Sequence, residues 1–204
     1  MDKIDLAKTD KTYYGASASE PQLKAFGLIP YLAAAGKGAP KGEAFTNATE
    51  ALYTLAYAVK AICKKEAADF TVAKLEGLWW VQSDKHALEV PREEWHWKLL
   101  IRLPAFVTAS AVEQARVDAV KKKKDLATLH AVQFETLEEG SCVQMMHIGP
   151  YETEPETFGS MHAFMQTNGL VQNGLHHEIY LSDPRKVEPQ AMRTILRLPV
   201  KNRE

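Results

Sequence analysis

Cysteine is nearly missing from this chain: Cys63 and Cys142 are the only two in 204 residues. Cys63 falls in a helical pattern and Cys142 opens a strand, so both read as reduced, partly buried thiols. No apolar run approaches the roughly 20 residues that cross a bilayer. The first residues, Met1-Asp2-Lys3-Ile4-Asp5, carry no signal-peptide core. These absences describe a soluble, cytoplasmic protein with no membrane partner. Charge of one sign is lacking too. The 25 basic and 26 acidic residues balance, whereas a dedicated nucleic-acid binder carries a basic excess. Neither Cys-X-X-Cys nor His-Glu-X-X-His occurs. His147, His176 and His177 do not replace them, because neighbours in a strand point to opposite faces. No metal is expected. Gly36-Lys37-Gly38 is too short for a phosphate loop and reads as a turn. Ser141 lacks the strand–turn–helix setting of an activated nucleophile. No cofactor is implied.

What is present is an ample apolar fraction, 46%, enough for a sizeable core. Residues 1–24 are polar and irregular, an N-terminal extension expected to drape over the domain, with Tyr13-Tyr14-Gly15 as its docking point. Residues 25–204 read as one domain. Phe26 to Ala35 is an apolar strand ended by the glycine turn. Phe45, Ala48, Leu52, Leu55, Val59 and Ile62 recur at three- and four-residue steps, the buried stripe of an amphipathic helix. Phe70 to Gln82 and Trp95 to Leu103 read as strands. Residues 108–124 form a polar linker helix whose terminal lysine run complements the helix dipole. Leu129 to Leu137 and Cys142 to Ile148 read as two strands joined by a turn at Glu138-Glu139-Gly140. Thr153 followed by Glu156 is a capping-box pattern, and Asn168-Gly169 is a helix stop. His176 to Leu181 and Met192 to Val200 close the chain as strands.

The two halves, about 25–105 and 128–201, use the same order and nearly the same closing words. Leu100-Ile101-Arg102-Leu103-Pro104 answers Ile195-Leu196-Arg197-Leu198-Pro199. Gln82-Ser83-Asp84 answers Leu181-Ser182-Asp183. The period of about 100 residues is too long for a solenoid. It indicates a duplicated α+β unit, and a groove between two such units is a common ligand site.

Chemistry concentrates in a few strands. All four tryptophans sit in two of them: Trp79 and Trp80, then Trp95 and Trp97. Trp95 and Trp97 share a face, while Trp79 and Trp80 point to opposite faces. Tyr53 and Tyr57 lie one turn apart on the preceding helix. These rings suit either a core or the wall of a flat pocket. Glu76 and Glu178 are acids set in apolar strand text. A buried carboxylate needs a partner or a purpose; an edge-strand carboxylate facing solvent needs neither. Aligned without gaps, the repeats set Glu178 opposite Trp79, so the two acids are not symmetry mates.

The run Ala51–Tyr57, the segment Leu75–Trp80, Trp95-His96-Trp97, the turn His147-Ile148-Gly149-Pro150-Tyr151 and the strand His177–Asp183 resemble the GyrI-like small-molecule-binding family. The match is to its stand-alone members, some of which are cyclopropanoid cyclopropyl hydrolases, and it covers roughly residues 25–200. The resemblance implies duplicated βαββ units with pseudo-twofold symmetry, two antiparallel sheets and a central ligand groove (SHS2-type). It implies flat aromatic or cyclopropanoid ligands and water addition to a cyclopropane. Catalysis would fall to Glu178, Glu76 and Tyr53, and ligand contact to Tyr57, Trp79, Trp80, Trp95, Trp97, Tyr151 and His147. The alternative is a binder that sequesters such compounds without chemistry. No helix-turn-helix precedes the domain, so a transcription regulator is not expected.

Overall fold

The computed structural model describes residues 3–85 and 87–203. The chain divides into two compact units. The first comprises the residues through Thr9 with Ile29–Leu137, and the second comprises Asp10–Leu28 with Glu138 onward.

Three antiparallel strands and two helices build the first unit. Strand β1 (Gln22–Lys37) contributes its second half, followed by helix α3 (Glu43–Lys65), β2 (Leu75–Trp80), β3 (His96–Arg102) and helix α4 (Ala109–Lys122). Strand β3 is central, pairing with β1 and with β2. The expected stripe of α3 is buried: Ala48, Leu52, Leu55, Val59 and Ile62 meet Leu32, Leu99 and Ile101 from the sheet. Each large aliphatic side chain buried this way contributes about 1.5–3 kcal/mol, so packing rather than helix propensity holds α3. Helix α4 adds Val112, Ala115 and Ala119 to the same core. Its start is set by Thr108, whose hydroxyl accepts from the Ala111 amide at 3.2 Å. Phe70 is not part of β2. It bridges Ile4, next to the four-residue helix α1 (Leu6–Thr9).

The second unit is built on strand β7 (Arg193–Asn202), which pairs with β4 (Gln133–Ile148), β5 (Leu170–Gln172) and β6 (His176–Tyr180). Helix α5 (Glu154–Thr167) buries Met161 and Met165 against Val143, Met145, Leu196 and Leu198. The first unit runs strand, helix, strand, strand, helix, and the second runs strand, helix and three strands.

Three local expectations change. The turn at Glu138-Glu139-Gly140 does not form: β4 is continuous, and Gly140 takes φ +63° within it. A glycine in that conformation lets a strand bend without reversing. Leu129 belongs to a 3-10 turn instead of a strand. The Thr153 capping box is also absent, because the Thr153 hydroxyl donates to the Pro150 carbonyl at 2.9 Å. Helix α5 does stop as expected, at Asn168 and Gly169 with φ +65°. Residues 10–17 dock through the expected tyrosines. Helix α2 (Lys11–Tyr14) carries Tyr13 and Tyr14, both buried in the second unit.

Candidate functional site

Ladder register decides which side chains share a face, because directly paired residues of an antiparallel sheet point the same way. In the first unit Gly36 pairs with Trp97, and Trp97 with Trp79. This row faces α3. The Trp97 ring lies flat over Gly36, whose added Cβ would come within 2.2 Å of it. Phe45 of α3 stacks on Trp79 at 5.9 Å and meets Trp97 edge-on at 5.5 Å. Trp95 stands 6.0 Å from Trp79, and its Nε1–H donates to the Val90 carbonyl at 3.0 Å. Tyr53 packs against the same cluster, and Tyr57, 59% exposed, lies 6.5 Å from it. Trp79 and Trp97 are therefore core residues. Trp95 and Tyr53 form the core's half-open margin, and Tyr57 lies outside it.

Glu76 and Trp80 point the other way. Glu76 pairs with Leu100 and Trp80 with His96, on the face that carries Tyr31, Ala33 and Leu78. Glu76 is fully buried, and Trp80 stacks on His96 at 5.5 Å. The sheet itself thus separates Glu76 and Trp80 from Tyr53, Trp79, Trp95 and Trp97.

In the second unit the row Met145–Leu196–Glu178 faces α5. His176 and Tyr180 share that face with Glu178 by period two. His176 meets Phe158 of α5 edge-on at 4.5 Å, and Tyr180 meets Tyr151 edge-on at 6.0 Å. Glu178 is 8% exposed, and its Oε1 lies 3.2 Å from His176 Nε2. Measured from the shared Arg-Leu-Pro words, Glu178 pairs one residue before Arg197, and Leu75 pairs one residue before Arg102.

Electrostatics mark the same spot. Burial first, then the charges of Glu178, Glu154, Asp183 and Glu152, raise the Tyr151 hydroxyl to about 12. Tyr151 is a hydroxyl donor throughout the physiological range. Burial, aided by the His177 charge, lowers His176 to about 3, so its imidazole is neutral. His147 has both ring nitrogens engaged: Nε2–H donates to the Pro150 carbonyl at 3.1 Å, and the Thr157 hydroxyl donates to Nδ1 at 2.9 Å. It ties β4 to the Gly149-Pro150-Tyr151 turn and to α5.

The opposite face of this sheet holds a buried ionic network. Arg197 Nη1 donates to Glu139 at 2.8 Å, and His177 Nδ1–H donates to the same carboxylate at 2.9 Å. Arg197 also donates to Gln144 and to the Tyr13 carbonyl, with its guanidinium 3.7 Å from the Phe26 ring centre and 4.3 Å from that of Tyr13. Sequence reasoning missed Arg197 and Glu139, and also Glu154, His176 and Tyr180. Period two in His176-His177-Glu178-Ile179-Tyr180 was the available signal for the last two. Among the described residues no group of three or more His, Cys, Asp or Glu could hold a metal ion, and no helix is long and apolar enough to cross a membrane.

Antiparallel strands covered by helices, with an acid and tyrosines gathered on a helix-facing side, make a domain of mixed α/β class, and the matching family model makes it a small-molecule-binding one. The chain belongs to the GyrI-like family: the model of the GyrI-like small molecule binding domain matches residues 108–201. Two solved structures from Listeria innocua are each 40% identical over 98% of this chain and 100% of their own. One is of an uncharacterized conserved protein, TM-score 0.92, and the other is of a hydrolase, TM-score 0.87. The C-terminal domain of EcmrR shares the fold at 10% identity and TM-score 0.56, over 90% of this chain and 98% of its own. No match was found among curated proteins.

Proposed function

We propose that this protein binds flat aromatic small molecules in the cytoplasm and hydrolyses cyclopropanoid DNA-alkylating agents by adding water to the cyclopropane. The observation that carries the reading is a nearly buried carboxylate, Glu178, on the helix-facing side of its sheet, close enough to Tyr151 for its charge to help hold that hydroxyl protonated. Glu178 takes a proton from water as the water oxygen bonds to a cyclopropane carbon. The carbon–carbon bond breaks, and its electron pair moves into the dienone, which becomes a phenolate. Tyr151 donates to that developing oxyanion, and the proton on Glu178 returns to it afterwards. Preorganised donors of this kind often supply the largest catalytic contribution, and a positioned base adds about 100- to 10,000-fold. The hydrolase assignment of the Listeria relative supports the reaction class.

Trp79 and Trp97 are core residues of the first unit, and the proposal gives them no ligand contact; the half-open Trp95 and Tyr53 and the exposed Tyr57 enter it as aromatic contacts within that unit. Their part is read separately, from tryptophan fluorescence. Glu76 and Trp80 lie on the other face of their sheet, and the proposal gives them no chemical role. His147 is assigned to bracing the Tyr151 turn.

Incubation with a cyclopropanoid followed by mass spectrometry tests the reading. A product heavier by one water, formed by the wild type and at least ~100-fold more slowly by Glu178→Gln in single turnover, is the expected result. Equal rates for the two proteins would remove Glu178 from the chemistry. An unchanged ligand that nonetheless quenches tryptophan would select the sequestering alternative. The acids around Tyr151 favour that alternative for cationic compounds.

A further inference from the structure

We infer that His176 is a positioning residue for Glu178, its Nε2–H orienting the carboxylate so that one oxygen is held while the other faces the attacking water. This rests on the hydrolase reading above. The two side chains stand two residues apart on β6, on one face, with Nε2 and Oε1 separated by 3.2 Å. Nε2 is buried, and its contact with the carboxylate is too poorly aligned to count as a hydrogen bond. Catalytic hydrogen bonds are often misaligned without ligand and tighten in the substrate complex. A buried N–H without an aligned acceptor is costly, so closure of this contact on ligand binding is favoured. The ring is held for it by Phe158, edge-on at 4.5 Å.

The neutral state of the imidazole fits the task. Burial and the His177 charge keep His176 uncharged, so it orients Glu178 without the full counter-charge that would weaken a base. The ionisable groups around it are Glu178 on its own strand, His177 on the strand's other face, and His162, which packs on Phe158 from α5. Glu178 and Glu154 both act on the Tyr151 hydroxyl at the turn. The carboxylate facing Nε2 selects the tautomer with the proton there.

His176→Phe keeps a ring beside Phe158 and removes the donor; His176→Gln restores one. With a cyclopropanoid substrate, His176→Phe is expected to lower kcat about tenfold or more with KM within about twofold, a loss confined to the transition state. The acid limb of its kcat profile, which reports the substrate complex, moves to higher pH by about half a unit or more, because the carboxylate has lost a donor to its charged form. His176→Gln recovers part of both. Equal losses in kcat and KM, or an unmoved acid limb, overturn the inference. Carboxyl-carbon NMR of Glu178 against pH, in wild type and His176→Phe with an unreactive flat aromatic bound, is read in parallel. A titration displaced upward in the variant supports the pairing even where the wild type turns over no cyclopropanoid, which would defeat the hydrolase reading alone. Superimposable titrations overturn the pairing.

Discussion

Glu139 shows how one buried residue sets a pH dependence. Burial pushes its carboxyl up, but the charge and hydrogen bond of His177, then those of Arg197, outweigh burial and hold it at about 2. A carboxyl depressed on folding stabilises the protein above its unfolded value, near 4.5, and that stabilisation fades as pH falls toward 2. Urea unfolding between pH 6 and pH 2.5 should therefore show a falling midpoint in the wild type and a shallower fall in Glu139→Gln. Arg197→Met leaves Glu139 buried with only His177 and removes the cation between the Tyr13 and Phe26 rings. A loss of about 3–5 kcal/mol, the cost of breaking a buried pair from one side, is expected from the same titration at pH 7. Arg197 was visible in the sequence as one cation among Ile195, Leu196 and Leu198. Its partners were not, because Tyr13 and Glu139 are distant in sequence and only folding brings them to it.

At the scale of elements, β1 and β3 meet at Gly36 and Trp97. No side chain fits beneath the indole, so Gly36→Ala must push the ring out of the cluster with Phe45 and Trp79. Overpacking of this kind costs about 1–3 kcal/mol. A red-shifted tryptophan emission together with that loss on denaturation would confirm it, and unchanged emission would mean the ring is not seated there. Helix α3 was legible because its apolar stripe has one period throughout. Strand β4 was misread because Glu138-Glu139-Gly140 is turn chemistry by composition. The same glycine conformation serves a bend, and Glu139 is drawn inward by Arg197 and His177.

For the whole molecule, the N-terminal residues matter more than their polarity suggests. The Thr12 and Gly15 carbonyls accept from Gln144, the Tyr13 carbonyl accepts from Arg197, and the Ser17 carbonyl accepts from the Met146 amide. Deletion through Gly15 opens the buried network of the second unit and frees Phe70 from its bridge to Ile4. Scanning calorimetry should show Tm lower by roughly 5–10 °C, the fall expected for a few kcal/mol in a chain of this size. A melting temperature equal to that of the full chain would return the segment to the role of a loose extension.

The sequence alone determined the mixed α/β class, most of the strands and helices, and the segments that carry acids and aromatics. Those follow from local periodicity and recurring words. Only the tertiary structure decided which of these residues share a face. A single strand states that alternate side chains part company but not which face meets the helix; that depends on the pairing register. Register set Glu178 with Tyr180 and His176 on one face, put Glu76 and Trp80 behind the sheet from Trp79 and Trp97, and buried Trp97 over Gly36. It also showed that Arg197 needs Glu139 and the N-terminal segment, since a charge taken out of water has to be met by partners that only the folded chain supplies.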